Sequence, residues 1–166
     1  MELKDKKKKF FFNFIFVFLI FTIDRFTKIY VVELFKKNFD NNLYNSEFLN
    51  IYLIWNEGIA FGLMSFNEKD LYNLLTVFII LVTLIVLYIG FLNEGLKRYA
   101  MLCIFAGSIG NLFDRITYKA VPDFIDFHIG EFHWFIFNVA DIFISIGVLI
   151  MIMSEFFGKN NDDKGK

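Results

Sequence analysis

Residues 71–92 contain no charged side chain at all. A stretch of that length and composition can cross the hydrocarbon core of a bilayer, for which roughly 20 apolar residues suffice. Two further runs behave alike. Residues 10–23 are almost wholly apolar, and so are residues 140–153 with their neighbours. These runs, more than the overall 57% hydrophobic content, set the class. The chain reads as an α-helical integral membrane protein. Its net charge of −1 offers no basic field for nucleic acid.

Residues 1–9 are polar and hold five lysines. A basic tail before an apolar run has the form of a secretory signal peptide. No small-x-small cleavage site follows, however, so a retained first helix over about 10–35 is expected. Within it, D-R-F-T-K occupies 24–28. Asp24 and Lys28 are four apart, share a helical face and can pair. Residues 36–70 form a structured outer loop, with strand character at E-F-L-N-I-Y-L-I-W, 47–55. A β element on the membrane surface is expected there, then a short amphipathic turn or helix to about Asp70. Helices follow over about 71–92, 99–116 and 137–157. A second polar loop spans 117–135, with strand-like alternation at 124–129. The whole of 1–158 is expected to be a single domain, with 159–166 as a polar tail.

Lysine and arginine placement sets the orientation. The N-terminal tail, the 93–98 loop and the C-terminal tail hold ten such residues, whereas the 36–70 and 117–135 loops hold four. Both ends are therefore expected in the cytoplasm and both long loops outside. Cys103 is the only cysteine, so no internal disulfide is available.

The chemistry concentrates between 107 and 141. G-S-I-G-N-L-F-D-R (107–115), V-P-D-F-I-D-F (121–127) and F-N-V-A-D (137–141) place four acids in greasy sequence. Charge there is costly and asks for a reason. Two carboxylates can hydrolyse a peptide. One, ionised, takes a proton from water while the other, protonated, polarises the carbonyl. Asp141 lies three after Asn138 at a helix start, where Asn138 can cap the helix or steady the carboxylate. Asp123 follows Pro122, which stiffens its backbone. Spacing alone also fits capping or solvated acids, and Asp126 could replace Asp123. On a strand, a separation of three sends Asp123 and Asp126 to opposite faces. Asn111, Asp114 and Arg115 stack at i, i+3 and i+4 of a helix. Asp114 and Arg115 diverge, so each needs its own partner. Ser108 has no base nearby. His128, Glu131 and His133 lack the H-E-x-x-H spacing, so no metal or other cofactor is expected.

The motifs go further together. D-R-x-x-K at 24–28, N-E-G-I-A-F-G at 56–62, G-N-L-F-D-R at 110–115, V-P-D-F-I-D-F and F-N-V-A-D stand in the order found in bacterial lipoprotein signal peptidases. The chain closely resembles that family, signal peptidase II, over nearly its whole length. The resemblance implies four transmembrane helices, a small extracytoplasmic β cradle and a flexible outer helix. It implies an aspartic endopeptidase of the cytoplasmic (inner) membrane acting on diacylglyceryl-modified prolipoproteins, cutting just before the lipidated cysteine. It makes Asp123 and Asp141 the catalytic pair. Asp24, Lys28, Asn56, Asn111, Asp114, Arg115, Asn138 and Ala140 match positions that line or support the site, with Asn56, Asn111 and Arg115 as expected substrate contacts. Expected partners are the prolipoprotein and membrane lipids, with the chain acting as a monomer. Pro122 departs from the family's usual V-V-D and removes a backbone donor. Competing readings are a small transporter, needing acids through the membrane depth, and a non-catalytic scaffold whose acids only pair with Arg and Lys.

Overall fold

The computed structural model describes residues 2–37, 43–58 and 68–162. These residues form four helices: α1 (Glu2–Lys37), α2 (Glu68–Leu92), α3 (Gly95–Tyr118) and α4 (Val139–Asp162). Four strands lie between them: β1 (Tyr44–Asn45), β2 (Leu49–Asn56), β3 (Val121–Ile129) and β4 (Phe132–Phe137). The first helix is longer than the apolar run within it, because the lysine-rich tail continues it. The fourth begins at Val139, since Phe137 closes β4. The proposed turn or helix before Asp70 falls largely on residues 59–67, outside the described residues.

Among the described residues, three helices are long and apolar enough to cross a membrane: Lys4–Lys37, Asp70–Leu92 and Val139–Phe157. α2 illustrates the solvent they need. Leu74, Phe78, Leu81, Ile85 and Tyr88 are all exposed. An apolar surface of that extent is tolerable in lipid, not in water. α3 has the length, 24 residues or about 36 Å, but more polar composition. Its position explains this, for it packs against α1, α2 and α4 and turns Asn111 and Asp114 to charged partners on α1 and α4.

Small residues make that central position available. Ala100, Cys103, Ala106, Gly107 and Gly110 are buried along one stripe of α3, which ends at Asp114. At Gly107 an added Cβ would lie 2.4 Å from the Ala140 carbonyl oxygen of α4. At Gly147 it would lie 2.5 Å from the Ala100 carbonyl oxygen. In a bilayer, packing of this closeness replaces the hydrophobic drive between helices. Ile20, Cys103 and Ala106 form the small apolar core, with Phe16, Val17 and Phe143 against it.

The strands form one antiparallel sheet in the order β1-β2-β3-β4. Trp55 pairs with Pro122 and Asn56 with Val121, while Ile125 pairs with Phe137 and Ile129 with Phe132. Pro122 lies beyond the stretch of β3 paired with β4, so β2 alone borders it. A proline is tolerated at such an edge. The sheet is anchored to the bundle where α3 stops. Lys119 takes the left-handed conformation (φ 60°) and its N–H donates to the Arg115 carbonyl, ending the helix two residues before β3.

Gly147→Ala is expected to destabilise the protein by about 1–3 kcal/mol, because the methyl meets backbone that cannot swing aside. The check is a fall in melting temperature in detergent. An unchanged melt would mean the α3–α4 contact is looser than described.

Candidate active site

The site begins with charges that neutralise one another. Asp24, Arg25 and Lys28 come from α1, and Asp114 from the end of the small-residue stripe on α3. Lys28 Nζ lies 3.0 Å from Asp24 Oδ1 and 2.7 Å from Asp114 Oδ2. Arg25 Nη2 donates to Asp24 Oδ2 at 2.6 Å and to Asp114 Oδ2 at 2.7 Å. Its Nη1 also donates to Asp114 Oδ1. The Arg25 guanidinium lies 4.9 Å from the Phe113 ring centroid, close enough for a cation–π contact. Two cations thus face two anions. Asp24 and Asp114 are fully buried and Lys28 nearly so. Charges at this depth are tolerable only when paired and hydrogen-bonded. Gly110 makes room, since a Cβ there would lie 2.6 Å from Asp24 Oδ2.

This cluster orients the groups around it. Lys28 Nζ donates to Asn111 Oδ1 at 2.8 Å. That fixes the amide so that Asn111 Nδ2 donates to Asp141 Oδ1 at 2.7 Å. Asp24 Oδ1 accepts the Ala140 N–H at 3.0 Å, placing an anion at the positive end of α4. The fully buried Ala140 leaves no side chain in the way.

Asn138 joins the two halves. Its side-chain Oδ1 accepts the Asp141 N–H at 3.3 Å, and its own N–H donates to Asp141 Oδ2 at 3.1 Å. This reciprocal arrangement is a capping box that starts α4. The same side chain then donates from Nδ2 to Asp123 Oδ1 at 2.6 Å. Asn56 Nδ2 donates to Asp123 Oδ2 at 2.9 Å, and Asn56 Oδ1 accepts the Gly58 N–H. Asp123 and Asp141 are thus held by one shared asparagine and one further amide each.

The Asp123 carboxyl is pushed above the ordinary carboxylate range. Burial is the main cause, and the neighbouring Asp141 charge adds to it. The amides of Asn56 and Asn138, and the more distant Lys28, pull the other way without reversing it. A carboxyl whose proton is held more tightly than usual, beside a second acid, is the arrangement general acid–base chemistry uses.

Space opens on both sides. A cavity of about 600 Å³, lined by Ile54, Trp55, Asn56, Glu57, Gly58 and Ile136, lies over Asp123. An apolar groove of about 430 Å³ runs along Phe137, Ile142, Ile146 and Leu149 to Asp141.

Of the residues singled out from sequence, Asp24, Lys28, Asn56, Asn111, Asp114, Asn138 and Ala140 all join this network. Arg115 stands apart. Its guanidinium lies against Gly58 (φ +73°), where a Cβ would come within 2.7 Å of Nη1. Its buried Nη1 has no hydrogen-bond partner among the described residues. Asp126 serves a different cluster, as the strand separation requires. Arg25 was not singled out, although Asp24 and Asp114 together need a second cation. A charge count over 24–28 and 110–115 carries that signal.

A bundle of membrane helices that holds two carboxylates at its edge is the architecture of an aspartic-type membrane peptidase. Comparisons with known proteins narrow the class. Residues 16–157 match the family model described as signal peptidase (SPase) II, and the chain belongs to that family. A lipoprotein signal peptidase of Pelagibacter ubique is 43% identical over 98% of both chains. One of Aquifex aeolicus is 36% identical over 79% of this chain and 83% of its own. A bacterial membrane enzyme solved by the in meso method at 2.3 Å is 28% identical, with a TM-score of 0.69 and 90% of each chain covered. The chain is accordingly a peptidase and a multi-pass protein of the bacterial inner membrane.

Asp114→Ala is expected to cost about 3–5 kcal/mol, because Arg25 and Lys28 would be left buried with one counter-ion. Thermal melts of the variant in detergent test this. A melt equal to wild type would show that water or lipid headgroups already screen the cluster.

Proposed function

We propose that this chain removes signal peptides from diacylglyceryl-modified prolipoproteins, cutting just before the lipidated cysteine, with Asp123 and Asp141 as the catalytic pair. The observation that carries the proposal is Asn138, which binds both carboxylates at once. Asp123 holds the shared proton. Asp141 takes a proton from water as the water oxygen attacks the scissile carbonyl carbon, and Asp123 gives its proton to the carbonyl oxygen. The resulting gem-diol returns a proton to Asp123 as the carbonyl re-forms. Asp141 passes its proton to the departing amine, and the C–N bond breaks. Both acids end as they began.

The remaining residues divide by what they already touch. Asn56 and Asn111 each use both ends of their amides within the site, so they position the carboxylates. Arg115, with a buried donor to spare, contacts the substrate backbone. The apolar groove beside Asp141 takes the lipid-bearing part of the substrate, and the cleft over Asp123 takes the peptide. The protein acts as a monomer, with both termini in the cytoplasm and the aspartates at the outer face, as the ten-to-four distribution of basic residues supports. A single domain over 1–158 serves all of this. Clustering of the acids near one end disfavours an ion path through the membrane, and a scaffold has no use for a proton-sharing pair.

Purified wild type in detergent is expected to cleave a diacylglyceryl-modified prolipoprotein, with EDTA present as well as without. Asp123→Asn and Asp141→Asn, shown by melting to be folded, are expected to be at least about 10³-fold slower. Two folded variants cleaving at the wild-type rate would remove the pair from the mechanism. The pH profile provides a second check. The alkaline limb, where Asp123 loses its proton, is expected above the ordinary carboxylate value of about 3.9. Asn56→Ala removes a bond that favours the ionised form, so that limb should move to higher pH. A move to lower pH would assign the limb to another group.

A further inference from the structure

The face of the sheet that carries Asp126 holds a second, separate constellation. Asp126 is fully buried on β3. His133 on β4 places Nδ1 2.9 Å from Asp126 Oδ2 and 3.0 Å from Oδ1. His128, two residues after Asp126 and on the same face, pairs across the strands with His133. The two imidazoles stack with centroids 4.9 Å apart and planes inclined by 17°. Asn50 on β2 pairs with Asp126 and donates to its Oδ2 at 3.2 Å.

Hydrogen bonding within this group does not close. His128 Nδ1 is buried without a partner among the described residues, 4.0 Å from Asp126 Oδ2. Asn50 Oδ1 is also buried without one. Two unsatisfied buried atoms flanking one carboxylate are costly. A proton on His128 Nδ1 relieves little, since Asp126 Oδ2 at 4.0 Å is beyond hydrogen-bond reach. A cation relieves more, because it can accept lone pairs from several of these atoms together.

We infer that Asp126, His128 and His133 form a divalent-cation site of the zinc class, separate from the aspartate pair. Each side chain can offer one ligand atom, and the three atoms lie within 4.8 Å of one another. Tetrahedral zinc with bonds of about 2.0–2.1 Å sets ligand atoms roughly 3.4 Å apart. The side chain of His133 is 50% exposed and free to adjust by the difference. Two imidazoles with one carboxylate suit zinc and disfavour magnesium or calcium, which seek oxygen. The fourth position falls to water. The ion would tie β4 to β3 three residues from Asp123. It would steady the strand that carries the proposed acid without touching the reaction.

Spacing along the chain concealed this group. The carboxylate comes from Asp126 and not from Glu131, and the ligands meet across a strand pair whose register shifts between Asp126 and His128.

The test uses full-length, tag-free protein in detergent, stripped with EDTA and returned to metal-free buffer. His128 and His133 are the only histidines in the chain, so imidazole binding has no other source. Zinc is expected to bind at one equivalent per chain by atomic absorption and to raise the melting temperature by about 5 °C at saturation. Magnesium should not. His128→Gln and His133→Ala should each lose the zinc shift while keeping their melt in EDTA. The inference is overturned by a wild type that shows no zinc shift, by one that responds equally to magnesium, or by a shift that survives both substitutions. If a variant fails to fold, the wild-type titration against zinc and magnesium decides.

Discussion

The structure depends on putting two carboxylates, a lysine and an arginine together where lipid would otherwise exclude them. Asp24, Arg25, Lys28 and Asp114 form a neutral group whose members are each held by at least two of the others or by backbone. Neutrality makes the burial tolerable, and geometry makes it useful. Lys28 sets the Asn111 amide, which sets Asp141. Asp24 caps the first turn of α4, on which Asp141 sits. Small residues on α3 allow the approach that brings these side chains within reach. Packing, charge and catalytic geometry are therefore parts of one arrangement.

The proposed catalytic pair is assembled from two kinds of scaffold. Asp141 rides on the first turn of a membrane helix, and Asp123 rides on a strand of the outer sheet. Asn138 sits at the junction and speaks to both. Its capping role fixes its backbone, and the same fixed side chain then reaches the strand. A lipid-bearing peptide has its acyl chains in the bilayer and its scissile bond at the surface. A pair built across helix and sheet, with an apolar groove on one side and a more polar cleft on the other, meets both demands.

The membrane helices were legible because lipid imposes a crude rule on composition, which residues 71–92 satisfy without exception. α3 was harder to delimit, since a helix surrounded by protein can carry Asn111, Asp114 and Arg115. The strand over 47–55 could be read from its aromatic and β-branched content. β4 could not, because F-H-W-F-I-F is apolar and aromatic throughout and merges into the helix that follows. Asp24, Lys28 and Asn138 were recoverable from helical spacing and capping logic. Arg25 was not, since adjacency to Asp24 suggests divergence, whereas its long side chain curls back to that residue and reaches Asp114 as well. Nothing local tells that Asp126 keeps company with two histidines. That depends on strand register, which the sequence leaves open.

The central claim is that Asp123 and Asp141 share one proton as a unit. Carboxyl carbon NMR on protein labelled at aspartate, followed through a pH titration in detergent, tests it most directly. Asp123 should keep its proton above the ordinary carboxylate range. In Asp141→Asn, which removes the neighbouring charge, its midpoint should fall. An Asp123 that titrates as an ordinary carboxylate, or that ignores the substitution at 141, would contradict the account.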